Sequence, residues 1–217
     1  MKPMEKHNSQ ELKEISKAHF EKISSSYSDS YAGKYTAPMY DALIQELDGM
    51  TFSTLLDVGC GTGIFLSKVL DKFNVKVAGI DISPGMVGKS RELLGEHPDL
   101  RVGDSEHLPW DNETFDIVTC IASFHHYPNP ELVLKEMKRV LRKGGSAIIA
   151  DPWAANPWRF FANLIIQSPL NRMGEVRMYS REELQELLDR AGLTLIKWKT
   201  KGNLWKTYYI VAALRKG

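Results

Sequence analysis

Leu55-Leu56-Asp57-Val58 is a short apolar run that passes directly into Gly59-Cys60-Gly61-Thr62-Gly63, and an amphipathic helical pattern begins near Ile64. Glycines at such a junction permit positive φ in a tight strand-to-helix turn. Lacking Cβ atoms, they also let the backbone touch a ligand at the helix N-terminus, where free N–H groups and the helix dipole favour it. A nucleotide-like ligand is implied.

The rest of the chain supports a sheet around that turn. Apolar runs at 54–58, 76–81, 99–103, 115–121 and 145–151 read as buried strands, with helical patterns between them near 63–73, 84–95 and 131–142. This alternation predicts an α/β fold, a doubly wound and mostly parallel sheet with helices on both faces. Ser83-Pro84 reads as a helix N-cap, Lys143-Gly144-Gly145 as a basic last turn with a glycine stop, and Ser180 with Glu183 as a capping box for a helix over 181–191 that ends at Gly192. Two Thr-, Ile-, Val- and aromatic-rich runs, 193–200 and 205–214, then suit an antiparallel hairpin. Before residue 54, Leu12, Ile15, His19, Phe20 and Ile23 recur at helical steps, and a second helical run spans Pro38 to Leu47.

Spacing narrows the ligand. The dinucleotide fingerprint wants a third glycine three residues after the second, and that position is Ile64, with Gly63 one place early. No Gly-Lys-Ser/Thr follows, so the phosphate-cradling loop is excluded too. Asp81 ends the next strand, where a carboxylate can accept both hydroxyls of a ribose; a helix-capping aspartate is the alternative. Asp104 follows the third strand in Gly103-Asp104-Ser105-Glu106-His107-Leu108-Pro109-Trp110, where an acid and the next amide can read the polar edge of adenine; a surface turn is the alternative. Leu108 and Trp110 read as packing residues.

The 217 residues suit one domain over 1–217, with 1–50 as a helical N-terminal cap. A formal net charge of +1 offers no field to hold a polyanion, so a small-molecule partner fits better than nucleic acid. Cys60 and Cys120 make no disulfide framework, and no stretch approaches the roughly 18 apolar residues of a membrane span, so a reducing cytoplasm is expected. No metal ligand set is assigned, and the oligomeric state is left open.

The strings Leu56-Asp57-Val58-Gly59-Cys60-Gly61-Thr62-Gly63, Gly79-Ile80-Asp81-Ile82-Ser83 and Gly103-Asp104-Ser105-Glu106-His107-Leu108-Pro109-Trp110 resemble the successive cofactor motifs of the class I S-adenosylmethionine-dependent methyltransferases. Phe115-Asp116-Ile117-Val118 and Leu141-Arg142-Lys143-Gly144-Gly145 are similar to that family's fourth strand and the turn before its fifth. The resemblance covers roughly residues 50–151 and is nearest to the small-molecule branch that includes quinone-biosynthesis enzymes. It implies a Rossmann-like sheet of order 3-2-1-4-5-7-6 and S-adenosylmethionine as cofactor, released as S-adenosylhomocysteine. It sets the loop from Gly59 through Cys60 and Gly61 to Gly63 against the methionine moiety, and includes Asp57 among the cofactor-binding residues. Asp81 falls on the ribose, Ile82 and Met86 beside the adenine, and Asp104 with Ser105 and Glu106 on its polar edge. Ile121 and Tyr27 complete the cofactor set.

Methyl transfer from a sulfonium requires a nucleophile held in line and water kept out. His125 and His126 follow the fourth strand and are candidates for a base or substrate ligand; rigidifying hydrogen bonds are the alternative. The stretch 152–179 is long for a connection and rich in Trp, Phe, Leu and Ile. It reads as a lid helix near 157–167 over a lipophilic or planar acceptor, joined by Tyr27, Tyr31 and Tyr35, or else as core packing. Lys197, Trp198, Lys199 and Lys201 alternate as a solvated strand face does. A non-catalytic S-adenosylmethionine sensor and a nicotinamide oxidoreductase are the rival classes.

Overall fold

The computed structural model describes residues 8–168, 171–203 and 206–215. Two helices come first, α1 (Ser9–Ile23) and α2 (Tyr31–Leu47), followed by β1 (Thr54–Val58), α3 (Ile64–Lys72), β2 (Lys76–Asp81), α4 (Pro84–Leu94), β3 (Asp99–Val102) and β4 (Phe115–Ile121). The chain continues through α5 (Pro130–Val140), β5 (Leu141–Pro152), α6 (Trp158–Ile166), α7 (Arg181–Ala191), β6 (Thr194–Asn203) and β7 (Lys206–Leu214). Among the described residues one sheet runs in the order β3-β2-β1-β4-β5-β7-β6, parallel from β3 to β5, with β7 antiparallel to both neighbours.

The two-residue period of a strand sends alternate side chains to two separate cores. Leu55, Val77, Ile117, Ile148 and Ile210 join α2 and α3 on one face. Leu56, Ala78, Val118, Ala147 and Val211 join α5 and α7 on the other. The expected punctuation is present: Ser83 Oγ accepts from the Met86 amide, Ser180 and Glu183 form the capping box, and Gly192 is left-handed at φ 73°. Leu108 and Trp110 are core residues. Trp198 stacks on Tyr209 at 4.9 Å, while Lys197 and Lys199 both pair with Glu46 of α2. Among the described residues no helix is long and apolar enough to cross a membrane.

One boundary departs from the sequence reading. α5 stops at Val140 and Lys143-Gly144-Gly145 lies in β5, because Leu141 already pairs with Phe115 and the Gly144 amide donates to Arg215 O at 3.0 Å. Ladder bonds there claim groups that a glycine C-cap would have used, and Gly144, at φ 77°, absorbs the irregularity. Leu204 and Trp205, part of the expected last strand, lie outside the described residues.

The carboxylate of Asp116 ties β1 to β4. Its Oδ2 accepts from the Ser53 and Thr54 amides at 2.8 and 3.0 Å, and its Oδ1 from Arg142 at 2.7 Å. Burial alone would raise its pKa, but these donors hold it well below the usual carboxylate range. A depressed folded pKa contributes stability above the unfolded value of about 4 that disappears as pH falls through and below it. Asp116→Asn is therefore expected to lower unfolding free energy by about 2 kcal/mol near neutral pH, and by progressively less toward about pH 3, in urea titrations.

Candidate functional site

The turn after β1 closes onto β2, with the Gly59 and Cys60 amides donating to Ile80 O at 2.8 and 3.0 Å. Gly59, Gly61 and Gly63 all have positive φ, at 79, 53 and 80°. A Cβ on Gly59 would lie 2.1 Å from Ser123 Oγ, whereas one on Gly61 would meet nothing within 4 Å. Gly61 faces open space because it lines a cleft that opens to solvent beside Asp81 and Asp104.

That cleft gathers most of the candidates. Gly59, Gly61 and Asp81 line it beside Ile82 and Met86; Asp104, Ser105 and Glu106 form another part; Tyr27, Ile121 and His126 complete the expected set. Asp57, Cys60, Gly63 and His125 are not among the lining residues. Asp81 accepts the Gly61 amide at 3.0 Å and the Ser83 amide at 2.9 Å. Burial pushes its pKa up to about 6 against the pull of those donors. Asp57, buried beneath the turn, accepts from Thr119 Oγ1 at 2.7 Å, and burial pushes it up to about 7. Cys60 turns its sulfur toward Gly79.

The two histidines separate. His126 Nδ1 is 3.5 Å from Ser16 Oγ, and its ring meets Phe20 edge-on at 5.1 Å. Burial, reinforced by His125, holds its pKa well below the usual value, so it is neutral at physiological pH. His125 Nδ1 lies 3.0 Å from Asp151 Oδ1 and its Nε2 4.0 Å from Glu175. Burial opposes charge on His125, but Asp151 outweighs it and raises the pKa.

Sequence reasoning missed the contribution of α1. The helical pattern runs through Leu12, Ile15, His19, Phe20 and Ile23; of these Phe20 lines the cleft, together with Lys13 and Ser16, which the pattern does not single out and which lie on the same helix face. Lys13 Nζ sits 2.7 Å from Asp104 Oδ2 and 2.8 Å from Glu106 Oε2. At the other end of α1, Glu21 accepts from Ser83 Oγ at 2.6 Å and the Gly85 amide at 2.8 Å. Tyr40, Ser123 and Tyr127 also line the cleft, as does Ala122, a non-glycine residue at φ 49°. Among the described residues, no side chain from 152–179 lines the cleft.

Residues 56–149 match the family profile described as a methyltransferase domain. The chain is 32% identical over 180 residues to 2-methyl-6-phytyl-1,4-hydroquinone methyltransferase 2, chloroplastic, of Oryza sativa subsp. japonica, covering 80% of this chain and 48% of that one. It is 41% identical over 105 residues to phosphatidylethanolamine N-methyltransferase of Cereibacter sphaeroides, covering 46% of this chain and 51% of the relative. The chain thus spans about half the length of the curated relatives it matches. In fold it is similar to Burkholderia thailandensis 1,6-didemethyltoxoflavin-N1-methyltransferase, solved with 1,6-didemethyltoxoflavin and S-adenosylhomocysteine bound. That superposition has a TM-score of 0.77 at 17% identity and covers 99% of this chain and 93% of that one. With its sheet order and glycine turn, the methyltransferase domain over residues 56–149 agrees with the resemblance to the class I S-adenosylmethionine-dependent methyltransferases.

Alanine at either glycine carries a left-handed backbone cost of about 1–2 kcal/mol, and only at position 59 is a collision added. Thermal melts are expected to place Gly59→Ala below Gly61→Ala by roughly 5 °C or more, with Ser123→Ala restoring part of the difference in the double variant.

Proposed function

We propose that this chain transfers a methyl group from S-adenosylmethionine to a small lipophilic or planar acceptor. The observation that carries this reading is the half-buried Asp81 carboxylate beside Gly61, where backbone amides, a carboxylate and Cβ-free space converge. Asp81 would accept the ribose hydroxyls, Ile82 and Met86 would flank the adenine, and Asp104 with Ser105 would read its polar edge. Because Lys13 already holds Asp104 Oδ2, the adenine amine would share that carboxylate with an ammonium group. The Gly59–Gly61 backbone would face the methionine moiety.

Bound S-adenosylmethionine supplies an already activated methyl, so the remaining work is positioning and exclusion of water. Phe20, Tyr27 and Tyr40 shield the cleft, and neutral His126 at its edge has a ring nitrogen able to accept a proton from the acceptor. Acceptors with a hydrocarbon part are favoured by the apolar share of the lining and by the hydroquinone and phospholipid named for the relatives. We read the whole as one domain capped by residues 1–50, working in a reducing compartment such as the cytoplasm, where the buried free thiols of Cys60 and Cys120 stay reduced.

Calorimetric titration with S-adenosylhomocysteine tests the cofactor half. Asp81→Asn is expected to weaken binding at least about tenfold. Wild-type affinity is expected to fall on acidification through about pH 6, where Asp81 takes up a proton, and that dependence to vanish in the variant. For the transfer itself, S-adenosylmethionine and an extract of small metabolites should yield S-adenosylhomocysteine and a labelled product; tight cofactor binding without turnover on any fraction would leave a sensor instead. Once an acceptor is known, His126→Ala is expected to lower kcat by about a hundredfold or more while leaving cofactor affinity unchanged.

A further inference from the structure

α6 inverts the usual arrangement of a surface helix, which buries an apolar stripe and shows polar residues to water. Its inward positions include two polar residues. Asn163 Nδ2 donates to Met178 O at 3.0 Å while its Oδ1 accepts the Met178 amide at 2.8 Å, and Arg159 donates back to Ala154 O at 3.1 Å. The outward face is Trp158, Phe160, Phe161, Leu164 and Ile165, exposed by 71, 58, 52, 54 and 66%. A contiguous apolar face of this kind marks an interaction site.

The cleft does not take this face, because its lining draws on α1 and includes no α6 residue. Charge around the helix narrows the occupant. From Trp153 to Glu183 the chain carries four arginines, Arg159, Arg172, Arg177 and Arg181, against three acids, Glu175, Glu182 and Glu183. Arg172 and Arg181 are exposed, while Arg177 is paired with Glu183. With Arg172 exposed and the segment carrying a net positive charge, an anionic occupant is favoured over a second copy bearing the same charge. An aromatic and aliphatic face flanked by cations instead matches the boundary between headgroups and acyl chains. Nine residues span only about 14 Å, far short of a membrane crossing, so the helix would lie in the interface plane.

We propose that α6 seats the protein on a lipid bilayer bearing anionic headgroups, with Trp158, Phe161 and Ile165 entering the acyl boundary and Arg172 and Arg181 among the phosphates. β5 runs parallel to β1 and leads into α6, so the seat lies at the carboxyl end of the sheet, the end where the cleft opens. The Val176 amide bonds His125 O at 2.7 Å, joining the segment after α6 to the loop that carries His126. The surface stands apart from the methyl-transfer reading and is measured without cofactor or acceptor.

Flotation of the full chain with phosphatidylcholine vesicles, with and without about one phosphatidylglycerol in four, is the test. The chain is expected to float with the anionic vesicles, and less with neutral ones or at about 0.5 M salt. The double substitution Phe161→Glu, Ile165→Glu should lower partition at least about tenfold, with melting temperature and S-adenosylhomocysteine affinity unchanged, and Arg172→Glu should reduce the preference for anionic lipid. No flotation with either vesicle overturns the proposal, as does flotation indifferent to the double substitution. Equal binding to neutral and anionic vesicles overturns the role given to the arginines. A concentration-dependent dimer in light scattering that the double substitution abolishes assigns the face to a second copy.

Discussion

Ser123 Oγ and Tyr127 OH, 2.7 Å apart, occupy the space that a Cβ on Gly59 would need. That close approach lets the segment after β4 press directly on the turn after β1, and Tyr127 reaches on to Val58 O at 3.4 Å. With the Ile80 carbonyl claiming the Gly59 and Cys60 amides from the other side, the turn is held between two neighbouring strands. The Asp81 carboxylate and the Gly61 amide meet because of this, and Ala122 takes its left-handed conformation where β4 gives way to the segment that presses on the turn. Backbone strain at such a rim persists when the surrounding packing over-determines it.

The site is electrostatically costly to the fold. Asp57 and Asp81, on adjacent strands, both have pKa values raised by burial to about 7 and about 6. Groups whose folded pKa exceeds the unfolded one favour the folded state more in acid, so their contribution declines as pH rises from about 4 toward neutrality. Asp116 acts in the opposite sense at the other end of β4. On the far side of the cleft, Lys13 stands between Asp104 and Glu106 and relieves the repulsion of two carboxylates sharing one rim.

Much of this was legible in the chain. The displaced glycine, the acid ending β2 and the serine caps are local signals, each needing only its neighbours in sequence to act. The boundary at Val140 was misread for a physical reason: Lys-Gly-Gly satisfies a helix end, and only a strand partner supplied by Arg215 shows that the amides are already committed. Lys13, Tyr40 and Ser123 were illegible because their roles exist only once distant segments pack together. The exposed face of α6 was readable as apolar but not as outward, since its orientation follows from the bonds that Asn163 makes to the Met178 backbone.

An open sheet ends in two strands whose outer hydrogen-bonding groups invite another chain. Here β3 limits that invitation by being four residues long. β6 is longer, but its register slips between Leu195 and Lys197, and Lys197, Lys199 and Lys201 follow at alternate positions. The lysines that steady α2 through Glu46 therefore also place positive charge along an irregular border, where a second strand would meet repulsion and a broken ladder. Resistance to edge-to-edge aggregation is thus built into the same residues that fasten the N-terminal helices to the sheet.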